Sequence, residues 1–193
     1  MAHYVIYIPG LGDHHSYGQN IAIQLWRFYG IRPVYFPLIW NNKESFAVKL
    51  ERLIKKVDKL KTLGSSVSLV GVSAGASAVI NAYAASKSID TVISISGKIN
   101  HPETIGKSAF DTNPDFEESM AMLAISLAKI APRERKKILS IHPVKDQTVP
   151  IKDTIIEHAV EKQLPGRSHA SGIFFGIVFG GPVIARFVKQ KGR

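Results

Sequence analysis

The sequence predicts one α/β domain, a mostly parallel sheet with helices packed on both faces, and three observations lead there. Short apolar, β-rich runs alternate with amphipathic stretches along the whole chain, the pattern of strand–helix–strand crossover units. The length of 193 residues suits one domain rather than two. With 45% hydrophobic and 21% charged residues, the composition is that of a folded globular chain.

The elements follow in order. Residues 4–9 (YVIYIP) form a buried strand stopped by Pro9-Gly10. Residues 16–29 have helical spacing, with Ile21, Leu25 and Phe28 on one side. Residues 33–39 (PVYFPLI) are a second strand, and Pro37 assigns it an end or an edge of the sheet. Residues 43–63 are an amphipathic helix, because Phe46, Leu50, Leu53, Ile54, Val57 and Leu60 recur at three and four residues; Gly64 closes it. A third strand at 66–70 (SVSLV) leads into an alanine-rich helix at 74–86, and a fourth strand spans 91–96 (TVISIS). Residues 97–114 lose all periodicity and read as a long polar loop. A helix at 115–130 is stopped by Pro132 and followed by a fifth strand at 137–142 (KILSIH). A helix at 151–158, a short sixth strand at 159–164 and a final apolar helix at 173–189 complete the chain.

Composition removes several classes of function. There is no cysteine, which excludes disulfides and thiolate metal sites. The first residues, MAHYVIYIPGLG, lack the basic region and apolar core of a signal peptide, so the cytoplasm is the expected location. The net charge of +10 could attract anions, nucleic acid or anionic membrane, but the basic residues are scattered. They cluster only at 133–137 (RERKK) and 189–193 (KQKGR), without the interleaved aromatics of a base-stacking surface, so no nucleic-acid partner is expected. Residues 170–185 carry no charge, yet this run is shorter than the roughly 20 residues of a membrane span and is interrupted by Pro182 and several glycines. It is expected to be a buried helix, with contact to a lipid surface as the alternative.

The first chemical signal is Gly71-Val72-Ser73-Ala74-Gly75, placed between a strand and a helix. A serine on so sharp a turn needs small residues two positions away on either side, and both are glycine here. The helix that starts there also offers its positive end to a developing oxyanion. A hydroxyl is almost wholly protonated at neutral pH, so a nucleophilic serine requires a base.

With this motif the sequence resembles the α/β-hydrolase superfamily, whose triad runs serine, acid, histidine along the chain. The resemblance implies a six-stranded sheet in the order 2-1-3-4-5-6, lacking the superfamily's usual first two strands. After the fifth strand, Pro143-Val144-Lys145-Asp146-Gln147-Thr148-Val149-Pro150 looks like the family's acid loop and makes Asp146 the acid; Asp153 is a poorer candidate. Seven histidines are present. His169, in the loop 164–172 (LPGRSHASG) after the last strand, matches the third member by position, whereas His14 and His15 precede the serine. The oxyanion donors implied are the backbone N–H groups of Ala74 and of Leu11, the latter in Pro9-Gly10-Leu11-Gly12, where proline replaces the usual histidine. Gly10, His14 and Met120 are candidate substrate-binding residues, with His15 and Tyr17 near the same cleft. The whole chain, 1–193, is then one domain, with 97–132 a small lid-like insertion.

The function implied is hydrolysis of a carboxylic ester, a small-molecule acyl substrate, through an acyl-enzyme, with neither metal nor cofactor required. The same residues would serve an acyltransferase, thioesterase or peptidase, and a non-catalytic binding member of the fold is the alternative from another class. A nucleotide-binding domain is disfavoured, since neither G-x-G-x-x-G after the first strand nor a P-loop motif occurs.

Overall fold

The computed structural model describes residues 2–13, 17–42, 44–62 and 64–191. Six strands, β1 (His3–Ile8), β2 (Arg32–Tyr35), β3 (Ser66–Val72), β4 (Thr91–Ile95), β5 (Ile138–Pro143) and β6 (Val160–Leu164), make one wholly parallel sheet. Its order is β2-β1-β3-β4-β5-β6, as expected. Nine α-helices are described: α1 (Tyr17–Ile23), α2 (Phe46–Lys61), α3 (Gly75–Ala85), α4 (Lys107–Thr112), α5 (Pro114–Lys129), α6 (Pro132–Arg135), α7 (Ile151–Thr154), α8 (His169–Val178) and α9 (Gly181–Lys191).

Side chains alternate across each strand, and both faces are apolar because both are covered. Ile6, Ile8, Val67, Leu69 and Val92 point to one face, where α2, α3 and α5 bring Leu53, Val57, Ile80, Phe116 and Leu123. Val5, Tyr7, Val70, Val72, Ile93 and Ile95 point to the other, against Ile23, Trp26, Ile177, Ile184 and Val188. The alanines of α3 let it lie close to the sheet, and a Cβ at Gly75 would come within 2.4 Å of the Ile8 carbonyl oxygen.

The structure departs from the sequence expectation where tertiary contacts interrupt local patterns. The helix expected at 16–29 tightens after Ile23 into a 3-10 helix, Gln24–Tyr29, which buries Trp26 so that its Nε1–H donates to the Ile177 carbonyl at 2.7 Å. The second strand ends at Tyr35, before Pro37, and lies at the sheet edge as the proline implied. The expected helix ends at Ser16, Lys43 and Leu63 lie outside the described residues, as do Gly192 and Arg193 of the basic tail. The polar stretch 97–114 contains a short 3-10 turn, Pro102–Thr104, and α4.

The helix expected at 151–158 is a single turn, α7. The Asp153 carbonyl accepts from the Ile99 and Asn100 N–H groups and the Thr154 carbonyl from Ser140 Oγ, so the chain departs into β6. The last apolar stretch is two helices bent by 63°, not one. At the break, a Cβ on Gly180 would sit 2.1 Å from the Gly176 carbonyl oxygen, and one on Gly181 would strike the Tyr29 ring at 2.8 Å. Among the described residues no single helix is long and apolar enough to cross a membrane; only this bent pair passes by length and composition. Its Ile177, Ile184, Phe187 and Val188 are buried against the sheet.

Within the expected lid-like insertion, α5 is a core helix. Ser119 meets Ser77 Oγ of α3 at 2.7 Å and accepts from Asn81 Nδ2 at 2.9 Å through its carbonyl. Asp115 pairs with the buried Lys49 of α2, whose Nζ also donates to the Ile39 carbonyl at 2.6 Å. Met120 is 4% exposed in the same apolar layer. Its side chain is used there in packing.

Candidate active site

Every strand of a parallel sheet ends at the same edge, so the loops after β1, β3, β5 and β6 converge. Ser73, Asp146 and His169, far apart in sequence, meet there.

Ser73 follows β3 at once and has φ of 51°, a left-handed conformation that costs a non-glycine residue about 1–3 kcal/mol. The turn is held by the Ser73 N–H donating to the Ile95 carbonyl at 3.0 Å and by the Ala76 N–H donating back to the Ser73 carbonyl at 3.0 Å. The flanking glycines are required sterically. A Cβ on Gly71 would lie 2.3 Å from the Gly75 carbonyl oxygen, and the Gly75 position is closed by the Ile8 and Pro9 carbonyls. Ala74 then caps α3, so the helix's positive end lies beside the serine.

Asp146 sits in a turn after β5 with its carboxylate buried. Its Oδ1 accepts from the Thr148 and Val149 N–H groups, both at 2.9 Å, which aims Oδ2 at His169 Nδ1, 2.8 Å away. Since a carboxylate oxygen can only accept here, Nδ1 carries the imidazole proton and Nε2 is free to accept. That nitrogen is 2.9 Å from Ser73 Oγ. The imidazole is 17% exposed, leaving one side open for a reactant.

His169 was expected in a loop; it is instead the first residue of α8, one turn earlier than the periodicity suggested. Ser168 and Ser171 form a reciprocal capping box around it, with Ser168 Oγ accepting from the Ser171 N–H and Ser171 Oγ from the Ser168 N–H. The acid and histidine loops are also tied together, since the Val144 and Lys145 N–H groups donate to the Gly166 carbonyl at 3.0 and 3.3 Å. A Cβ on Gly172 would strike Pro143 at 2.8 Å.

Gly10 presses on the serine: a Cβ there would lie 2.9 Å from Ser73 Cβ and 3.5 Å from the Ala74 nitrogen. Its missing side chain keeps the space in front of that N–H clear. Leu11 occupies the next turn position and is 39% exposed. Tyr17 is exposed at the start of α1, while His14 and His15 lie outside the described residues.

A second polar cluster, which was not anticipated, joins the segment after β4 to α7. The buried Asp153 carboxylate accepts from Lys98 Nζ and contacts His101 Nδ1 at 2.6 Å, and Lys98 also reaches Thr104 Oγ1 at 2.6 Å. Burial alone would raise the Asp153 carboxyl, but the hydrogen bonds from Lys98 and His101 outweigh it and hold the group below its ordinary value. Lys98 and His101 fall in a stretch without periodicity, so no pattern pointed to their pairing.

No protein-family model matches the sequence, and no curated protein matches it. Solved structures do. Est1E from Butyrivibrio proteoclasticus is 16% identical with a TM-score of 0.70, over 98% of this chain and 88% of that one. The esterase domain of a Rhodothermus marinus protein is 14% identical at TM-score 0.69, over 98% and 87%. A dienelactone hydrolase from Anabaena variabilis is 16% identical at TM-score 0.67, over 100% and 88%. At such identities the likeness is one of fold.

Proposed function

We propose that this chain, which has the α/β-hydrolase fold, is a serine hydrolase that cleaves a carboxylic ester. The observation that carries the reading is the continuous chain Ser73 Oγ–His169 Nε2 at 2.9 Å and His169 Nδ1–Asp146 Oδ2 at 2.8 Å.

In the first step Ser73 Oγ attacks the acyl carbon while its proton passes to His169 Nε2, and the carbonyl π pair moves onto oxygen. The N–H groups of Ala74 and Leu11 receive that oxyanion, in the space Gly10 leaves open. The oxyanion collapses, the bond to the alkoxy oxygen breaks, and His169 gives its proton to the departing alcohol. Water then attacks the acyl-enzyme with His169 again taking the proton. Collapse releases the acid and returns the proton to Ser73. Asp146 keeps the imidazole in one tautomer and steadies its transient positive charge. The esterase domain and the dienelactone hydrolase among the structural relatives agree with ester cleavage, though fold alone does not choose a leaving group.

The test is a panel of p-nitrophenyl esters, acyl-thioesters and peptides offered to wild type and Ser73→Ala. Ester turnover that vanishes in the variant is the expected result. Preference for thioester or peptide keeps the triad and changes the substrate; no Ser73-dependent turnover on any of them removes the proposal.

A further inference from the structure

α1 and α8 both start at the edge that carries Ser73 and run down the same face of the sheet, with an open groove of about 360 Å³ between them. Gly18 and Ala22 line it from α1; Ala170, Ile173, Phe174 and Val178 line it from α8. The small residues make it a groove rather than a packed seam: a Cβ on Gly18 would meet no atom of the described residues within 4 Å. Phe174 is 54% exposed, so among the described residues an apolar wall faces solvent. No Asp, Glu, Lys or Arg is part of the lining, and the polar Gln19 is engaged by the Tyr7 hydroxyl, which donates to its Oε1 at 2.7 Å. Such a surface recognises hydrocarbon, not charge.

The groove begins one residue from the reactive centre, since Ala170, which lines it, directly follows His169 in α8. From Ala170 to Val178 the helix rises about 12 Å, the reach of a medium-length saturated chain. We infer that this groove holds the acyl chain of the substrate, running from the ester carbonyl at Ser73 toward Val178. The inference rests on the hydrolase reading for the identity of its occupant. Val178 at the far end sets the accepted length, and Gly18 keeps the near end open.

The test separates binding from turnover. Ser73→Ala protein is titrated with decanoate by calorimetry, alone and with Gly18→Leu or Val178→Trp added. Saturable binding is expected, weakened at least tenfold by either addition, since each buried methylene contributes about fourfold. In the protein with Ser73 intact, Gly18→Leu should lower the octanoate-to-acetate ratio of kcat/KM for p-nitrophenyl esters by at least tenfold. Thermal melting identifies a variant that fails to fold, and the two substitutions lie on different helices so that one can fail without the other. Decanoate bound without ester turnover would keep the groove and remove the hydrolase reading. Turnover with a flat chain-length profile and no decanoate binding would overturn the groove and keep the hydrolase.

Discussion

Replacing Gly10 by alanine probes the contact between the β1 loop and the serine. The new methyl carbon falls 2.9 Å from Ser73 Cβ, 3.0 Å from the Val72 carbonyl oxygen and 3.5 Å from the Ala74 nitrogen. Carbon atoms rest about 3.5–4.0 Å apart, so either the loop or the serine must retreat by about 0.6 Å or more. Overpacking of this size costs about 1–3 kcal/mol, a loss of several degrees in Tm for a chain of this length. Activity should suffer more, because a displacement approaching 1 Å at a reacting group costs up to about 100-fold in rate. The assay pairs kcat on a short p-nitrophenyl ester with thermal unfolding. Gly12→Ala is the comparison: its φ of +78° strains an alanine, but no atom of the described residues lies within 4 Å of the new carbon. It should lower stability while sparing kcat relative to Gly10→Ala. Equal kcat in wild type and Gly10→Ala would refute the steric reasoning and the place given to the β1 loop.

Other substitutions test other parts of the site. In Asp146→Asn the amide oxygen must keep accepting from the Thr148 and Val149 N–H groups, so its NH₂ faces His169 Nδ1 and drives the proton to Nε2. The serine then loses its acceptor and kcat should fall by about 10⁴ with the fold intact, as measured by steady-state kinetics and circular dichroism. Gly75→Ala meets backbone at 2.4 and 2.7 Å, atoms that cannot swing away, and should be too unstable to purify as a cooperatively melting monomer or oligomer. Asp153→Asn leaves Lys98 buried without its carboxylate and should cost about 3–5 kcal/mol at neutral pH by denaturant unfolding. Because the folded carboxyl is held below its ordinary 3.8, that stabilisation is complete above this pH and is lost as the pH falls through the lower, folded value. The gap between wild type and variant should therefore close in acid; a gap that is constant at every pH would count against the ion pair.

What could be read from the sequence, and what could not, follows from the range of the forces involved. The strands are buried on both faces, so runs such as 91–96 and 137–142 had to be apolar and stood out. The α2 seam survived as a 3-4 spacing. Gly71 and Gly75 are compelled by backbone atoms within 3 Å, and for that reason the turn at Ser73 left a legible motif. Asp146 and His169 were located by order along the chain, and the structure brings both to Ser73. The breaks escaped because their causes are distant. Trp26 bonds to Ile177 across 151 positions, and α7 stops where its carbonyls are taken by β5 and the segment after β4. Ser168 and Ser171, read as loop composition, are a helix cap that starts α8 at the histidine. Lys98 and Asp153 are 55 residues apart with no local pattern to join them.

The central claim is that Ser73 Oγ is an activated nucleophile, and the direct measurement is its reaction with a fluorophosphonate followed by intact mass and peptide mapping. The account predicts one adduct per chain, at Ser73, absent in Ser73→Ala and formed far more slowly in His169→Ala. A folded wild-type protein that stays unmodified, or an adduct at another residue, would contradict it.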